Sequence, residues 1–302
     1  MAGLQIEIFL LMAIGWWMGK TGRLSKQTRS QLTDLVIMVI LPCAIIRSFQ
    51  MDLSEEVLMS TLLILMISFI IQILYALCNM VLYRWMDEDR SNCCKYGTMV
   101  SNAGFLGMPI AEGVFGSAGL LYASVFLIPQ RIFMWSYGLS LFAGKGSGNV
   151  WKKVITHPCI ISVFIGLVLM IAGSYGYVLP SFLNDTLKAV ASCNTALSMI
   201  VVGGILSDVS FRSIFDRDAV IYSLIRLTGL PIVIMILLRI AQVAVLPANV
   251  CILLSAMPAA STTAMLAEKY DGNSAFASRL VFVSTLGSLF SLPVITWLFQ
   301  MF

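Results

Sequence analysis

Long apolar runs recur along this chain, and the short polar stretches between them alternate in charge. Runs near 4–19, 31–48, 57–83, 95–116, 118–142, 156–173, 183–206, 218–243, 248–269 and 274–301 each approach or exceed the roughly 20 apolar residues that cross a bilayer as a helix. Several are longer than a crossing needs, which predicts tilt. Lys20, Arg23, Lys26 and Arg29 follow the first run, and Arg84, Arg90 and Lys95 the third. Lys145, Lys152 and Lys153 follow the fifth, Arg212 and Arg217 the seventh, and Lys269 the ninth. The intervening loops hold almost no Lys or Arg; Arg47 and Arg239 lie at run ends and Lys188 near the start of the seventh. Because cationic loops stay in the cytosol, the pattern predicts ten transmembrane helices in the cell membrane, with both termini extracellular.

Composition supports the class. Of 302 residues 59% are hydrophobic and 11% charged, against about 45–50% and 25% in soluble domains, and the mean hydropathy is +0.92. The first twenty residues lack the basic start and cleavage site of a signal peptide and read as the first span. The net charge of +4 is carried mostly by the loop cations and implies no nucleic-acid partner. Seven cysteines without C-x-x-C spacing predict reduced thiols rather than disulfides or a metal site, the vicinal Cys93 and Cys94 on the cytosolic side. His157 is the only histidine and suits a helix entry. Metalloprotease, G-x-S-x-G and P-loop motifs are absent from the sequence, so neither an enzyme, a bound cofactor nor an ATP-driven pump is expected.

The segment "GKGSGNVWKK" near the midpoint predicts a cytosolic linker over 144–155 between two five-helix halves, 1–143 and 156–302. An odd number of spans in each half gives the halves opposite orientation. "MPIAEG" at 108–113 is echoed by "MPAAST" at 257–262, and the fifth and tenth spans each contain an interior proline, Pro129 and Pro293. Inverted repeats with interrupted helices at matching positions are a sequence mark of secondary transporters and point to the binding site.

The interruptions are readable in "SNAGFLGMPIAEG" (101–113). Gly104 and Gly107 free the backbone from helical geometry, and Pro109 suits the first position of a new helix. Half-helices are therefore expected near 95–103 and 109–116. In the ninth span "LLSAM" would precede the break and "PAASTTAM", from Pro258, would follow it. Unwound backbone is not tolerated against lipid, so the two breaks should cross at mid-membrane. Two helix N-termini would then converge there, favouring an anion such as a carboxylate. Asn102, Met108, Ser255, Ser261, Thr262 and Thr263 would surround it.

Ionisable residues at membrane depth are costly and suggest function. Arg131, in the fifth span, could contact an anionic substrate or pair with Glu112. Glu112 follows Pro109 and has two readings: an acid at ease at a helix start, or a proton-coupling carboxylate. Asp34 is a weaker candidate for ion coupling or gating, and Glu7 reads as structural. Arg226 and Arg279 read as structural cations able to snorkel.

At this point the residues resemble a known family. "SNAGFLGMPIAEGVFGSAGLLYASVF" with "RIFMWSYGLSLF", the first hairpin "GWWMGKTGRLSKQTRSQLTDLVIMVILPCAIIRSF" and "VVGGILSD" are similar to the auxin efflux carrier family in its bacterial branch. That resemblance implies a homodimeric all-α integral membrane transporter. Helices 1, 2, 6 and 7 would form a scaffold, and helices 3–5 and 8–10 a transport part moving as an elevator. Small organic anions such as malate or malonate, or auxin-like acids, would bind at the crossover, with Asn102 matching the family's substrate-binding asparagine. The seventh span lacks the proline that members often carry there. The coupling ion implied is a proton or sodium. Two alternatives stand beside this reading: a sodium-coupled organic anion symporter resembling the bile acid symporters, and a non-transporting membrane sensor.

Overall fold

The computed structural model describes residues 2–50, 54–143, 155–207 and 216–298. The expected linker, apart from its last residue, and Arg212 lie outside the described residues, as does the end of the tenth span. Among the described residues the regular elements are helices, interrupted by one isolated β-bridge. Six are long and apolar enough to cross a membrane: Lys26–Ser48, Glu55–Asn79, Ala103–Phe133, Ser181–Ile205, Arg217–Ile240 and Ser274–Leu298; the third of these is broken at Gly116, whose φ of 67° and ψ of −156° are not helical. Pro158–Ser174 and Val245–Ser255 are shorter apolar helices, and Ala2–Lys20 opens the chain.

Helix starts coincide with short polar side chains that accept from otherwise unpaired backbone N–H groups. Ser25 Oγ accepts from Thr28 N at 3.1 Å and Asp87 Oδ1 from Arg90 N at 3.0 Å. Asp216 Oδ1 accepts from Asp218 N and Ala219 N at 3.1 and 3.3 Å. His157 does the same: its Nδ1 accepts from Cys159 N at 3.3 Å, with Pro158 at the first helical position. The lone histidine is a helix entry, as its position suggested.

The chain divides into two compact units. One comprises Met1–Leu63, Met108–Val125 and Ile155–Asp208; the other comprises Ile64–Gly107, Phe126–Val154 and Val209–Phe302. In the first unit the helices Ala2–Lys20 and Asn194–Leu206 approach until backbone meets backbone. A Cβ on Gly15 would run into the Ile200 carbonyl, and one on Gly203 into the Met12 carbonyl. Small residues spaced this way let membrane helices pack without side chains between them. Arg29, 6% exposed, donates to the Gly204 carbonyl and to Ser207 Oγ, closing the carbonyl end of Asn194–Leu206. The seventh predicted span is interrupted at Ser192–Cys193, between Ser181–Ala191 and Asn194–Leu206, although no proline is present.

In the second unit the helices Glu88–Met99, Arg217–Ile240 and Ser274–Leu298 are tied near their starts by ions. Arg90 meets Asp218 at 3.0 Å and Asp216 at 3.8 Å, and Arg279 meets Asp216 at 3.2 Å. The hydrogen bond from Asp218 raises the pKa of the Arg90 guanidinium, so the cation persists at any working pH. Arg279 is thus one arm of an ion-pair network rather than a lone snorkelling cation.

Candidate functional site

The site is built where two helices of the second unit stop. Glu88–Met99 ends at Val100, whose φ of −119° and ψ of 95° are extended. Val245–Ser255 ends at Ala256, and the chain is again irregular until Thr262. The two irregular segments pair antiparallel: Ser101 bridges Ala259, Asn102 N–H donates to the Pro258 carbonyl at 2.7 Å, and Ala260 N–H donates to the Val100 carbonyl at 3.1 Å. Peptide groups freed by each break are thereby satisfied by the other, as a low-dielectric setting requires.

Side chains from the two long helices complete the join. Gln130 Nε2 donates to the Ser101 carbonyl at 2.8 Å, and Ser101 Oγ donates to Gln130 Oε1 at 3.0 Å. On the partner strand, Ala259 N–H donates to Ser284 Oγ at 3.2 Å. Helix resumes after Asn102, whose carbonyl accepts from Leu106 N at 3.0 Å and Gly107 N at 3.2 Å, opening the π turn Ala103–Gly107.

This placement corrects two expectations. The fourth-span break lies at Val100–Asn102, upstream of Gly104, Gly107 and Pro109, because strand pairing and Gln130 supply the hydrogen bonds that unwinding requires. Pro109 stands in the first turn of Met108–Phe133, after the π turn, where the altered hydrogen-bond register absorbs its missing N–H. Pro258 lies within the paired segment itself, and helix restarts at Thr262 instead. Ser101 and Asn102, rather than Pro109, pair with the Pro258 segment. Gly107 has a packing role, since a Cβ there would meet Leu254 Cδ2 at 2.9 Å and Met257 Cγ at 3.1 Å.

Of the predicted binding residues, Asn102, Gly104, Arg131, Ser261 and Thr262 are half-buried and all belong to the second unit. Among the described residues the Asn102 side chain makes no hydrogen bond, its backbone doing all the pairing. Arg131 reaches the first turn of the restarted helix; a Cβ on Gly104 would lie 3.8 Å from its Nη2. Thr262 Oγ1 accepts from Tyr96 OH at 3.2 Å at the start of Thr262–Lys269. Gly107, Met108, Pro109, Ser255 and Pro258 are buried. Ser255 Oγ and Thr263 Oγ1 are buried without a partner.

The other predicted acids belong to the first unit. The half-buried Glu112 carboxyl faces Asn194 and Arg47, and Asn194 is 1% exposed. Asp34 and Glu7 are exposed.

Comparison with known proteins decides the family. A family model described as membrane transport protein matches residues 3–150 and 145–296, nearly the whole chain. The chain belongs to the membrane transport protein family. The auxin efflux carrier resemblance read from the sequence is to this same family. Its relatives include an uncharacterized transporter of Methanothermobacter thermautotrophicus, 26% identical over 96% of this chain and 95% of the relative. One from Methanocaldococcus jannaschii is 23% identical over 96% of each, and the uncharacterized transporter YfdV of Escherichia coli 20% over 97% and 95%. The chain is a multi-pass membrane transporter.

Two residues at the paired break were passed over or read differently in the sequence. Gln130 stood beside Arg131 in "FLIPQRIF", where an amide deep in an apolar run was an available signal. Arg226 was read as a snorkelling cation. It is instead 1% exposed, and it donates to the Ser255 carbonyl at 2.6 Å and to Tyr75 OH at 3.2 Å.

Proposed function

We propose that this protein is a secondary active transporter of small organic anions, binding its substrate at the paired break of the second unit. The observation that carries the reading is Asn102. Its amide is half-buried and uncommitted, at the point where one helix restarts, in the segment paired with the one that leads into the next helix start at Thr262. Helix N-termini favour anions, and the Arg131 guanidinium over Gly104 adds a full positive charge. Ser261 and Thr262 offer neutral hydrogen-bonding groups. Mono- or dicarboxylates of the malate and malonate class fit this set.

The chain is arranged, on this reading, as ten spans in two inverted halves with both termini outside the cell membrane, and it works as a homodimer. Alternating access is elevator-like. Helices 1, 2, 6 and 7 are the fixed part on this reading, and helices 3–5 and 8–10 the moving part. Glu112, with Asn194 and Arg47 facing it, is the candidate for proton coupling.

Uptake of radiolabelled mono- and dicarboxylates into proteoliposomes, with and without imposed proton or sodium gradients, tests this. At least one carboxylate should accumulate, and Asn102→Ala should raise its KM about tenfold or more, the worth of one charge-assisted hydrogen bond. Uptake unchanged by Asn102→Ala and by Arg131→Met would remove the paired break as the site. Gradient-driven uptake surviving intact in Glu112→Gln would remove the coupling role.

A further inference from the structure

Four helix ends meet at the paired break, and their charges nearly cancel. The amide ends that begin at Ala103 and Thr262 each carry about half a positive charge. The carbonyl ends of Glu88–Met99 and Val245–Ser255 carry about as much negative charge. A crossing of broken helices is therefore not electropositive by construction, and cationic side chains must tip it toward anions: Arg131 from beside Gly104, and a second one from behind the site.

Arg226 is placed to do so. It lies on the π turn Ile225–Gly229 of the helix Arg217–Ile240 and is 1% exposed. Its Nη1 donates to the carbonyl of Ser255, the last residue of Val245–Ser255, at 2.6 Å. The guanidinium carbon stands 5.1 Å from the centre of the Tyr75 ring, and Tyr75 OH is its other polar neighbour at 3.2 Å. Its buried Nε has no partner. Among the described residues no carboxylate lies within ion-pair distance of it; Asp216 and Asp218 of this unit pair with Arg90 and Arg279. A cation buried in a span without a counter-ion is costly, yet nothing here neutralises it except a helix carbonyl end. The other half-helix receives only a neutral group, Asn79 Nδ2 donating to the Lys95 carbonyl at 3.0 Å.

We propose that Arg226 sets the charge selectivity of the site without touching the solute. It cancels the negative end of Val245–Ser255, leaving two amide ends against the single carbonyl end of Glu88–Met99, and so makes the paired break prefer anions over neutral and cationic solutes. This deepens the anion-transport reading and rests on it for its biological meaning, but its test needs no substrate.

The full chain carrying Asn102→Cys is purified in detergent and treated with methanethiosulfonate reagents of similar size bearing negative, positive and no charge. Modification of the thiol at position 102 is followed by mass spectrometry of its peptide, which separates it from the native cysteines. A charge about 10 Å away at an effective dielectric of about 20 changes such rates by about tenfold. Because the two charged reagents respond in opposite senses, adding Arg226→Met should lower the anionic-to-cationic rate ratio about a hundredfold, with the neutral reagent's rate as the reference for any change in the thiol's own reactivity. Arg226→Lys, which keeps the charge but not the guanidinium fork, should restore most of the ratio. Should Arg226→Met not fold, Arg226→Gln keeps a donor for Ser255 without the charge and gives the same readout. An unchanged ratio in the folded neutral variant overturns the proposal, as does an equal loss in Arg226→Lys, which would show that shape rather than charge matters. Failure of carboxylate uptake, by contrast, would overturn the anion-transport reading while leaving the potential measured here intact.

Discussion

Replacing Gln130 with leucine should loosen the paired break more than any apolar substitution on the same helix. Gln130 and Ser101 are 5% and 4% exposed, and they exchange two hydrogen bonds of 2.8 and 3.0 Å. Gln130→Leu conserves size but strands the Ser101 carbonyl and hydroxyl in a buried setting. Each buried group left unpaired costs about 1–3 kcal/mol. The hydroxyl can rotate toward a neighbouring carbonyl and the peptide carbonyl cannot, so the pair should cost about 2–4 kcal/mol. Thermal unfolding in detergent should fall by several degrees. Hydrogen exchange should speed at the Asn102 and Ala260 amides, whose bonds to Pro258 and Val100 hold the two segments together. Adding Ser101→Ala removes the stranded hydroxyl and should recover about 1 kcal/mol. A Gln130→Leu protein within about 0.5 kcal/mol of wild type, with native protection at both amides, would refute the idea that this side chain maintains the break.

Two glycine substitutions separate packing from backbone freedom. Gly107→Val forces a side chain against Leu254 and Met257, both 0% exposed, and should cost about 1–3 kcal/mol. Gly104→Ala, whose Cβ would make only ordinary contacts at 3.7 and 3.8 Å, should be near neutral by the same unfolding assay; equal damage at both would restore the unwinding role. In the first unit, Gly15→Leu would drive a side chain into the Ile200 backbone and should cost about 3 kcal/mol or more, seen as aggregation in size-exclusion chromatography beside a well-behaved Gly173→Ala control, whose Cβ would meet open space. Native elution of Gly15→Leu would mean that the helix pair is not in backbone contact.

The membrane class, the helix ends and the existence of broken spans were legible in the residues. Chain-long runs of apolar residues leave a helix as the way to satisfy backbone groups in lipid, and Asp87, His157 and Asp216 announce helix starts by their local chemistry. Asn102 and Arg131 stood out too, since a polar group deep in an apolar run needs a reason, and the fold places Asn102 in the paired break and Arg131 beside Gly104. The exact break was not. Glycine and proline mark where a helix is weak, but a weak point is used only if partners elsewhere replace its hydrogen bonds.

Those partners are what tertiary structure alone decided. Residues 100–102 unwind because Pro258, Ala260 and Gln130 meet their peptide groups, contacts that span up to about half the chain and leave no local signal. Arg226 shows the same limit: its position predicted a cation near a span end, but only folding brought the Ser255 carbonyl and the Tyr75 ring to it. The sequence alone determined that this protein lives in a membrane and breaks two of its helices, because those are properties of composition and of single residues. Where they break, and which charge the break presents, depend on pairings between distant segments, so they emerge only when the chain is folded.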